Sequence, residues 1–172
     1  MTAPDQDAVA RGLQRVLAAH HAAVFGYPVI GVALRDPGQV QLVRGLEGRH
    51  RHARDELMAQ LVNRRATPAP AEASYAPAKP VTAPADAQRW ALELEQDCAA
   101  AYRYLLVAPV LVTGSGASGS AANGAGRQGL SAAEQAALRR QALAGLSTAA
   151  LNATQWRSLL SPATPTVAFP GL

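Results

Sequence analysis

The sequence predicts an all-α protein, a bundle of four long helices with a long crossover between the second and the third. In four stretches of the chain, apolar residues recur every three or four positions, as they do on the buried face of a helix. With 172 residues the chain is long enough for one domain with a substantial core. The residues are 49% hydrophobic but only 5% aromatic, so we expect helices that pack closely through small side chains.

The first helix, predicted over about 5–34, carries a histidine in the middle of its apolar stripe. His20 lies near the centre of this face, and His21 lies about 100° away from it, at the edge or outside. A titratable group directed at a core is costly unless it is paired or liganded. The residues that share the predicted inner face are Leu13, Val16, His20, Val24, Tyr27, Gly31 and Leu34.

The second helix, predicted over about 40–65, also carries a central inward histidine. The turn at 35–38, Arg-Asp-Pro-Gly, is so short that helix 2 must return antiparallel to helix 1. His50 lies in the middle of the stripe, while His52 points nearly the opposite way and is expected to be solvated. His20 and His50 are therefore predicted to share one layer of the core. The shoulder of the stripe carries Glu47, and Arg54 is close to it.

A proline-rich crossover is predicted over 66–84. Five prolines exclude a helix, and nineteen residues in an extended, polyproline-like form reach ~55 Å. A helix of ~26 residues is only ~39 Å long. The crossover can therefore run the full length of the bundle and start helix 3 at the far end.

Helices 3 and 4 complete the bundle. Helix 3 is predicted over about 85–108, with Cys98 on its inner stripe and both Glu95 and Tyr102 on a flank. A Gly/Ser/Ala-rich segment at 109–129 is typical of a flexible surface loop. Helix 4, over about 131–160, opens with a capping box of Ser131 and Glu134, and 161–172 is predicted to be an extended tail.

Several function classes are disfavoured by composition and motifs. The charge of +4 comes from scattered arginines, so no nucleic-acid partner is expected. Cys98 is the only cysteine, which excludes an internal disulfide, and its apolar stripe predicts a buried structural thiol. There is no signal-like N-terminus and no uninterrupted apolar run of about 18 residues, so we expect a cytoplasmic protein without a membrane partner. No nucleophile constellation predicts a catalytic residue, and GSGASG lacks the context of a phosphate loop.

Five motifs in order carry a resemblance to a known family. They are LAAHHAAVFGYPVIG, HRHARDEL, YAPAKPVTAPADA, LELEQDCAAAYRYL and ATQWR followed by TVAFPG. Together with the order of helices, they resemble an alanine-rich, ferritin-like domain family of unknown function from actinobacteria. The resemblance implies a ferritin-like four-helix bundle over nearly the whole chain.

Metal-binding ferritin-like proteins use a glutamate on each of two helices and Glu-x-x-His on the other two. This chain has His20 at the helix 1 position, where the family more often has Glu-His. On helix 2, Glu47 and His50 have the Glu-x-x-His spacing, and on helix 3 Glu95 matches. Helix 4 has neither Glu, Asp nor His beyond Glu134. The pattern of a di-iron centre is therefore mostly absent.

Two functions remain open from the sequence. The preferred one is a non-catalytic structural or binding bundle, expected to be a homodimer, without a cofactor and with an unknown protein or small-molecule partner. The alternative is a metal-dependent oxidoreductase or metal-handling protein that uses His20, His50 and either Glu95 or Glu47 to hold a single divalent metal or a degenerate two-metal centre. In the preferred case the inward side chains form a buried polar layer of His20, His50, Arg54, Glu95 and Tyr102.

Overall fold

The computed structural model describes residues 4–108 and 130–161, which form four α-helices. They are α1 (Pro4–Ala33), α2 (Pro37–Asn63), α3 (Pro84–Leu106) and α4 (Ala132–Leu160). No β-strand occurs in the described residues. The predicted all-α four-helix bundle is confirmed. The predicted loop at 109–129 and all but the first residue of the predicted tail at 161–172 lie outside the described residues.

Local capping explains where the helices begin and end. Asp36 accepts a hydrogen bond from the Gln39 backbone N–H at 2.8 Å, and Pro37 occupies the first turn, so α2 begins about three residues earlier than predicted. It ends before Arg65, whose φ of 58° is incompatible with a helix. At the start of α4, the side chains of Ser131 and Glu134 form the predicted capping box.

The helices pack in the order that a long crossover dictates. α1 packs against α2 and α3, and α3 packs against α4. The short 34–36 connection makes α1 and α2 antiparallel, while residues 64–83 carry the chain to the other end of the bundle before α3 begins. The fourth side, between α2 and α4, has almost no backbone contact. Within the described residues, the bundle is therefore open along this side.

Two apolar clusters fill the two ends of the bundle and leave a polar layer between them. One cluster contains Leu13, Leu57 and Leu105. The other contains Ile30, Trp90 and the fully buried Trp156. On each helix the residues between these clusters lie at the same level along the bundle axis. Those buried residues are His20 on α1, His50 on α2, Glu95 and Cys98 on α3, and Ala149 on α4.

α1 is the most apolar helix. Ala8–Ala33 has a mean hydropathy of 1.5, and by length and composition alone this stretch could cross a membrane. A core helix of a bundle meets the same criteria. Here Leu13, Val16, Leu17 and Ile30 of α1 are completely buried against the other helices.

Candidate functional site

A continuous chain of hydrogen bonds crosses the middle of the bundle. The Tyr102 hydroxyl lies 2.9 Å from Nε2 of His20, and Nδ1 of His20 lies 2.9 Å from Nδ1 of His50. The other nitrogen of His50, Nε2, lies 3.0 Å from Oε1 of Glu95. Both histidines are 5% exposed and Glu95 is fully buried. The structure thus joins polar side chains from α1, α2 and α3 into one buried layer.

Further donors converge on Glu95. The Tyr27 hydroxyl donates to Oε1 at 2.5 Å, within the range of a charge-assisted O–H···O⁻ bond. The Asn152 amide donates to Oε2 at 3.2 Å, and the Trp156 indole N–H donates to the Tyr27 oxygen at 3.2 Å. With His50, three donors from three helices satisfy the two carboxylate oxygens of Glu95.

These contacts accommodate an arrangement of protons in which every hydrogen bond has one donor and one acceptor. Because the Trp156 N–H donates to Tyr27, the Tyr27 O–H is free to donate to Glu95. When its proton is on Nε2 and faces the carboxylate, His50 offers Nδ1 as an acceptor. His20 must then donate from Nδ1 and accept the Tyr102 O–H at Nε2. Every donor in the chain is directed towards Glu95.

Burial favours the neutral imidazole of His20 and the protonated phenols of Tyr27 and Tyr102. It lowers the pKa of His20 to about 3, with additional lowering from the neighbouring His50 and His21, so His20 is neutral at pH 7. It also raises the pKa values of Tyr27 and Tyr102 above that of an exposed phenol, with a further contribution from Glu95 in both cases. Both phenols therefore keep their protons as hydrogen-bond donors.

Cys98 lies beside this chain on α3. It is 1% exposed, and burial raises the pKa of its thiol well above the usual value, with Glu95 and Asp97 adding to the shift. Single ligand atoms of His20, His50 and Cys98 all lie within 4.8 Å of one another. The sequence placed Cys98 on the inner stripe but did not associate it with the histidines.

A pocket reaches this layer from the open side of the bundle. It has a volume of about 130 Å³ and lies between α2 and α4. Its floor includes His20, His50 and Cys98. On the α4 side it is lined by Gly145, Thr148, Ala149 and Asn152, whose spacing of three and four residues places them on one helix face.

Close approach of α4 depends on a glycine. A Cβ atom added at Gly145 would lie less than 3 Å from the ring of Tyr102. The absence of a side chain there lets Tyr102 lie flat between α3 and α4 and reach His20.

Two of the residues predicted for the site lie outside the layer. Arg54 was expected in the buried polar layer, but its guanidinium pairs with Asp55 at 2.7 Å and its side chain is 25% exposed. An ion pair with a neighbouring carboxylate at the surface avoids the desolvation cost of burying the guanidinium. Glu47, an expected metal ligand, pairs instead with Arg51 one turn along α2 at 2.6 Å.

The other two histidines lie away from the site. His52 is solvated, as predicted, with 78% of its side chain exposed. His21 is buried under the crossover, where its Nε2 lies 3.2 Å from the Ala69 carbonyl oxygen.

Three residues of the layer were not assigned to the site by the sequence: Tyr27, which was predicted only on the inner face of helix 1, and Asn152 and Trp156 on helix 4. The spacing of these residues along their helices could have associated them with the site. Asn152 and Trp156 are one turn apart on α4, and His20 and Tyr27 are two turns apart on α1, so each pair shares a face.

The layer does not fit a two-metal centre of the ferritin type. Such a centre uses carboxylates from all four helices and a histidine from each of two. Among the residues that the structure describes, Glu95 is the single carboxylate in the layer, and α4 contributes an amide and small side chains. A set of His20, His50 and Glu95 around one ion is also unfavourable, because Glu95 meets His50 at Nε2 while His20 meets it at Nδ1.

Comparison with known proteins places the chain in a family. The model of a family described as a domain of unknown function, DUF4439, matches residues 12–111, more than half of the chain. The chain belongs to the DUF4439 family. The matched region contains His20, His50, Glu95, Cys98 and Tyr102, and therefore most of the polar layer.

A solved structure resembles the whole bundle. It is the crystal structure of Rv2844, a conserved hypothetical protein from Mycobacterium tuberculosis, which is 29% identical in sequence. The alignment covers 90% of this chain and 98% of the mycobacterial chain, with a TM-score of 0.68. This DUF4439 chain thus has an actinobacterial structural relative. A search of curated proteins finds no match.

Proposed function

We propose that this DUF4439 protein is a non-catalytic ferritin-like bundle that binds a small ligand in the pocket between α2 and α4. In this proposal a hydrogen-bonded chain occupies the layer where metal-binding ferritin-like proteins hold two metal ions. The protein then acts by binding rather than by di-iron chemistry.

The observation that carries this proposal is the hydrogen bonding of the Glu95 carboxylate. A bridging carboxylate must offer both oxygens to metal ions. Both oxygens of Glu95 already accept hydrogen bonds from Tyr27, His50 and Asn152. Binding two metal ions would leave two buried donors, Tyr27 and His50, without partners, at a cost of about 1–3 kcal/mol each, and would also displace the half-buried Asn152 amide.

The small side chains on the inner face of α4 support a binding role. A ferritin-type α4 would direct metal ligands inwards, whereas this helix presents Gly145, Thr148 and Ala149. These short side chains leave the space that the pocket occupies. At about 130 Å³ the pocket is slightly smaller than a cavity of ~150 Å³ that holds benzene. It therefore suits an ion with a water ligand or an organic molecule of five or six heavy atoms.

Iron loading tests whether a two-metal centre forms. Protein treated with two equivalents of Fe²⁺ without oxygen, and then exposed to air, should show no exchange-coupled diferric species by Mössbauer spectroscopy. Oxygen consumption should equal that of buffer containing the same iron. Glu95→Gln is the matched control and should behave as the parent does. A diferric signal in the parent that is absent from Glu95→Gln would refute the proposal.

Blocking the pocket tests the binding role. Imidazole has five ring atoms and is a probe of suitable size. Ala149→Leu should fill the pocket, because Ala149 is buried on the α4 face that lines it. Ala144→Leu adds the same atoms at an exposed position of the same helix. Imidazole should shift the NMR resonances of pocket residues in the parent and in Ala144→Leu, but not in Ala149→Leu. Equal shifts in all three proteins would contradict binding in this pocket.

A further inference from the structure

A cluster of three ligand-type side chains lies at the floor of the pocket. His20, His50 and Cys98 come from three different helices, and one ligand atom from each lies within 4.8 Å of the others. All three line the pocket between α2 and α4. None of the three is more than 5% exposed.

We propose that His20 Nδ1, His50 Nδ1 and the Cys98 sulfur bind one zinc-class divalent cation, with the fourth position open to the pocket. This inference rests on the proposed absence of a two-metal centre and names the ligand of the same site. Two imidazoles and a thiolate form a donor set that favours zinc and its neighbours over hard cations such as magnesium.

The distance between the two imidazole Nδ1 atoms is close to the nitrogen–nitrogen distance in a zinc site. Zinc–nitrogen bonds of about 2.0–2.1 Å in a tetrahedral arrangement place two nitrogens about 3.3 Å apart. The Nδ1 atoms of His20 and His50 are 2.9 Å apart and share a proton. A separation larger by about 0.4 Å lets a cation replace that proton. Cys98 packs among the small side chains of Ala99 and Ala149, which leave room for its sulfur to turn towards the ion.

The opposite nitrogens already have the partners that metal-bound histidines have. A ligating histidine usually donates its second ring N–H to a carboxylate or another oxygen, which fixes the ring orientation. Nε2 of His50 faces the Glu95 carboxylate, and Nε2 of His20 faces the Tyr102 hydroxyl. Both rings are therefore oriented with Nδ1 towards the shared position.

Binding requires one proton to move and one to leave. His50 keeps its proton on Nε2, from which it donates a hydrogen bond to Glu95. It offers the lone pair of Nδ1 to the cation. The Nδ1 proton of His20 moves to Nε2, where the Tyr102 oxygen accepts the hydrogen bond. The Cys98 thiol loses its proton to solvent and binds as thiolate, because the charge of a coordinated cation deprotonates a thiol. One divalent cation enters and one proton is released.

Cobalt titration tests the site directly. Co²⁺ substitutes for Zn²⁺ and gives visible d–d bands in tetrahedral geometry, with a thiolate-to-cobalt charge-transfer band in the near ultraviolet. The parent should bind one Co²⁺ per chain with both features, release about one proton, and lose the bands when Zn²⁺ is added. Failure of the parent to develop the thiolate band with saturating Co²⁺ would overturn the inference without requiring any variant.

Variants then assign the ligands. Cys98→Ala keeps a small apolar side chain in the core and should lose the charge-transfer band and at least about tenfold in affinity. Glu95→Gln removes the charge behind His50 and should weaken binding about 10–100-fold while the band remains. Glu47→Gln and His52→Ala are controls and should bind as the parent does. A charge-transfer band that survives in Cys98→Ala would refute the assignment.

This test separates the two proposals. If the parent binds no cobalt and forms no diferric species, the metal inference fails and the proposed binding bundle stands. If the parent assembles two irons, the proposed function fails whatever the cobalt result.

Discussion

Tyr27 and Trp156 lie 129 positions apart in the chain, and the Trp156 indole N–H donates a hydrogen bond to the Tyr27 oxygen at 3.2 Å. Tyr27 in turn donates to Glu95 at 2.5 Å. Their rings lie 6.4 Å apart between centroids. α1 and α4 are otherwise on opposite corners of the bundle. This relay therefore couples the position of α4 to the carboxylate on α3.

The first prediction concerns this relay. Tyr27→Phe keeps the ring in its buried place but removes the hydroxyl, so the Trp156 N–H loses its acceptor and Glu95 loses a donor. An unsatisfied buried group costs about 1–3 kcal/mol, and the free energy of unfolding should fall by about that amount. Urea unfolding measures it. Tyr104→Phe is the control, because Tyr104 is 41% exposed and its ring still lies under the Arg15 guanidinium. Equal losses in both variants would contradict the relay.

The second prediction compares two helical glycines. Gly145→Ala places a methyl group against the Tyr102 ring and should destabilise the protein by about 1–3 kcal/mol, the usual cost of overpacking. Gly48→Ala adds the same methyl on α2, where, in the described part of the chain, no atom beyond its neighbours and the local helix backbone lies within 4 Å of the added carbon. There the lower entropy of the unfolded chain should stabilise the protein by about 0.5–1 kcal/mol. Urea unfolding of both variants gives the signs. A Gly145→Ala protein as stable as the parent, or more stable, would show that the approach of α4 to Tyr102 does not matter.

The sequence predicts the bundle well because periodicity alone sets which residues face inwards. The apolar spacing around His20 and His50 placed both residues in the core, and the proline-rich crossover fixed the order of helices. Which ring nitrogens meet could not be predicted. The sequence predicts the relative register of α1 and α2 only to within about one turn, ~5.4 Å, whereas a hydrogen bond needs a few tenths of an ångström.

Pairwise chemistry across helices explains the remaining differences. Arg54 is one turn from His50, so the spacing placed it near the layer, yet its long side chain reaches Asp55 at the surface. Cys98 looked like an apolar core residue because its neighbours on α3 are apolar. Its proximity to two histidines depends on the packing of three helices, which no single stretch of sequence encodes.

The third prediction concerns the attachment of the crossover. Gln14 on α1 donates to the Thr67 carbonyl at 2.7 Å and accepts from the Ala69 N–H at 2.9 Å. Gln14→Leu keeps the size of the side chain and removes both bonds, which should cost roughly 1–3 kcal/mol at about 1 kcal/mol per bond. Hydrogen exchange of the Ala69 amide should also accelerate. Gln41→Leu, at an exposed position of α2, is the control. An unchanged exchange rate in Gln14→Leu would contradict this attachment.

The fourth prediction concerns acid stability at the start of α3. Asp86 accepts hydrogen bonds from the Thr82 hydroxyl and backbone N–H, the Ala83 N–H and the Arg89 guanidinium. The Thr82 hydroxyl bond contributes most and Arg89 next, and together they lower the pKa of Asp86 from 3.8 to about 2.

The sign of the pH effect follows from this lowered pKa. A carboxyl group that is more acidic in the folded state stabilises the protein above the pKa of the unfolded chain, and this contribution is lost as the pH falls through the folded pKa. The parent should therefore lose stability between about pH 4 and pH 2 more steeply than Asp86→Asn does. Urea unfolding at several pH values should show the parent more stable at pH 7 and a smaller difference at pH 2. A difference between the two proteins that stays constant from pH 7 to pH 2 would show that the ionised carboxylate does not stabilise the first turn of α3.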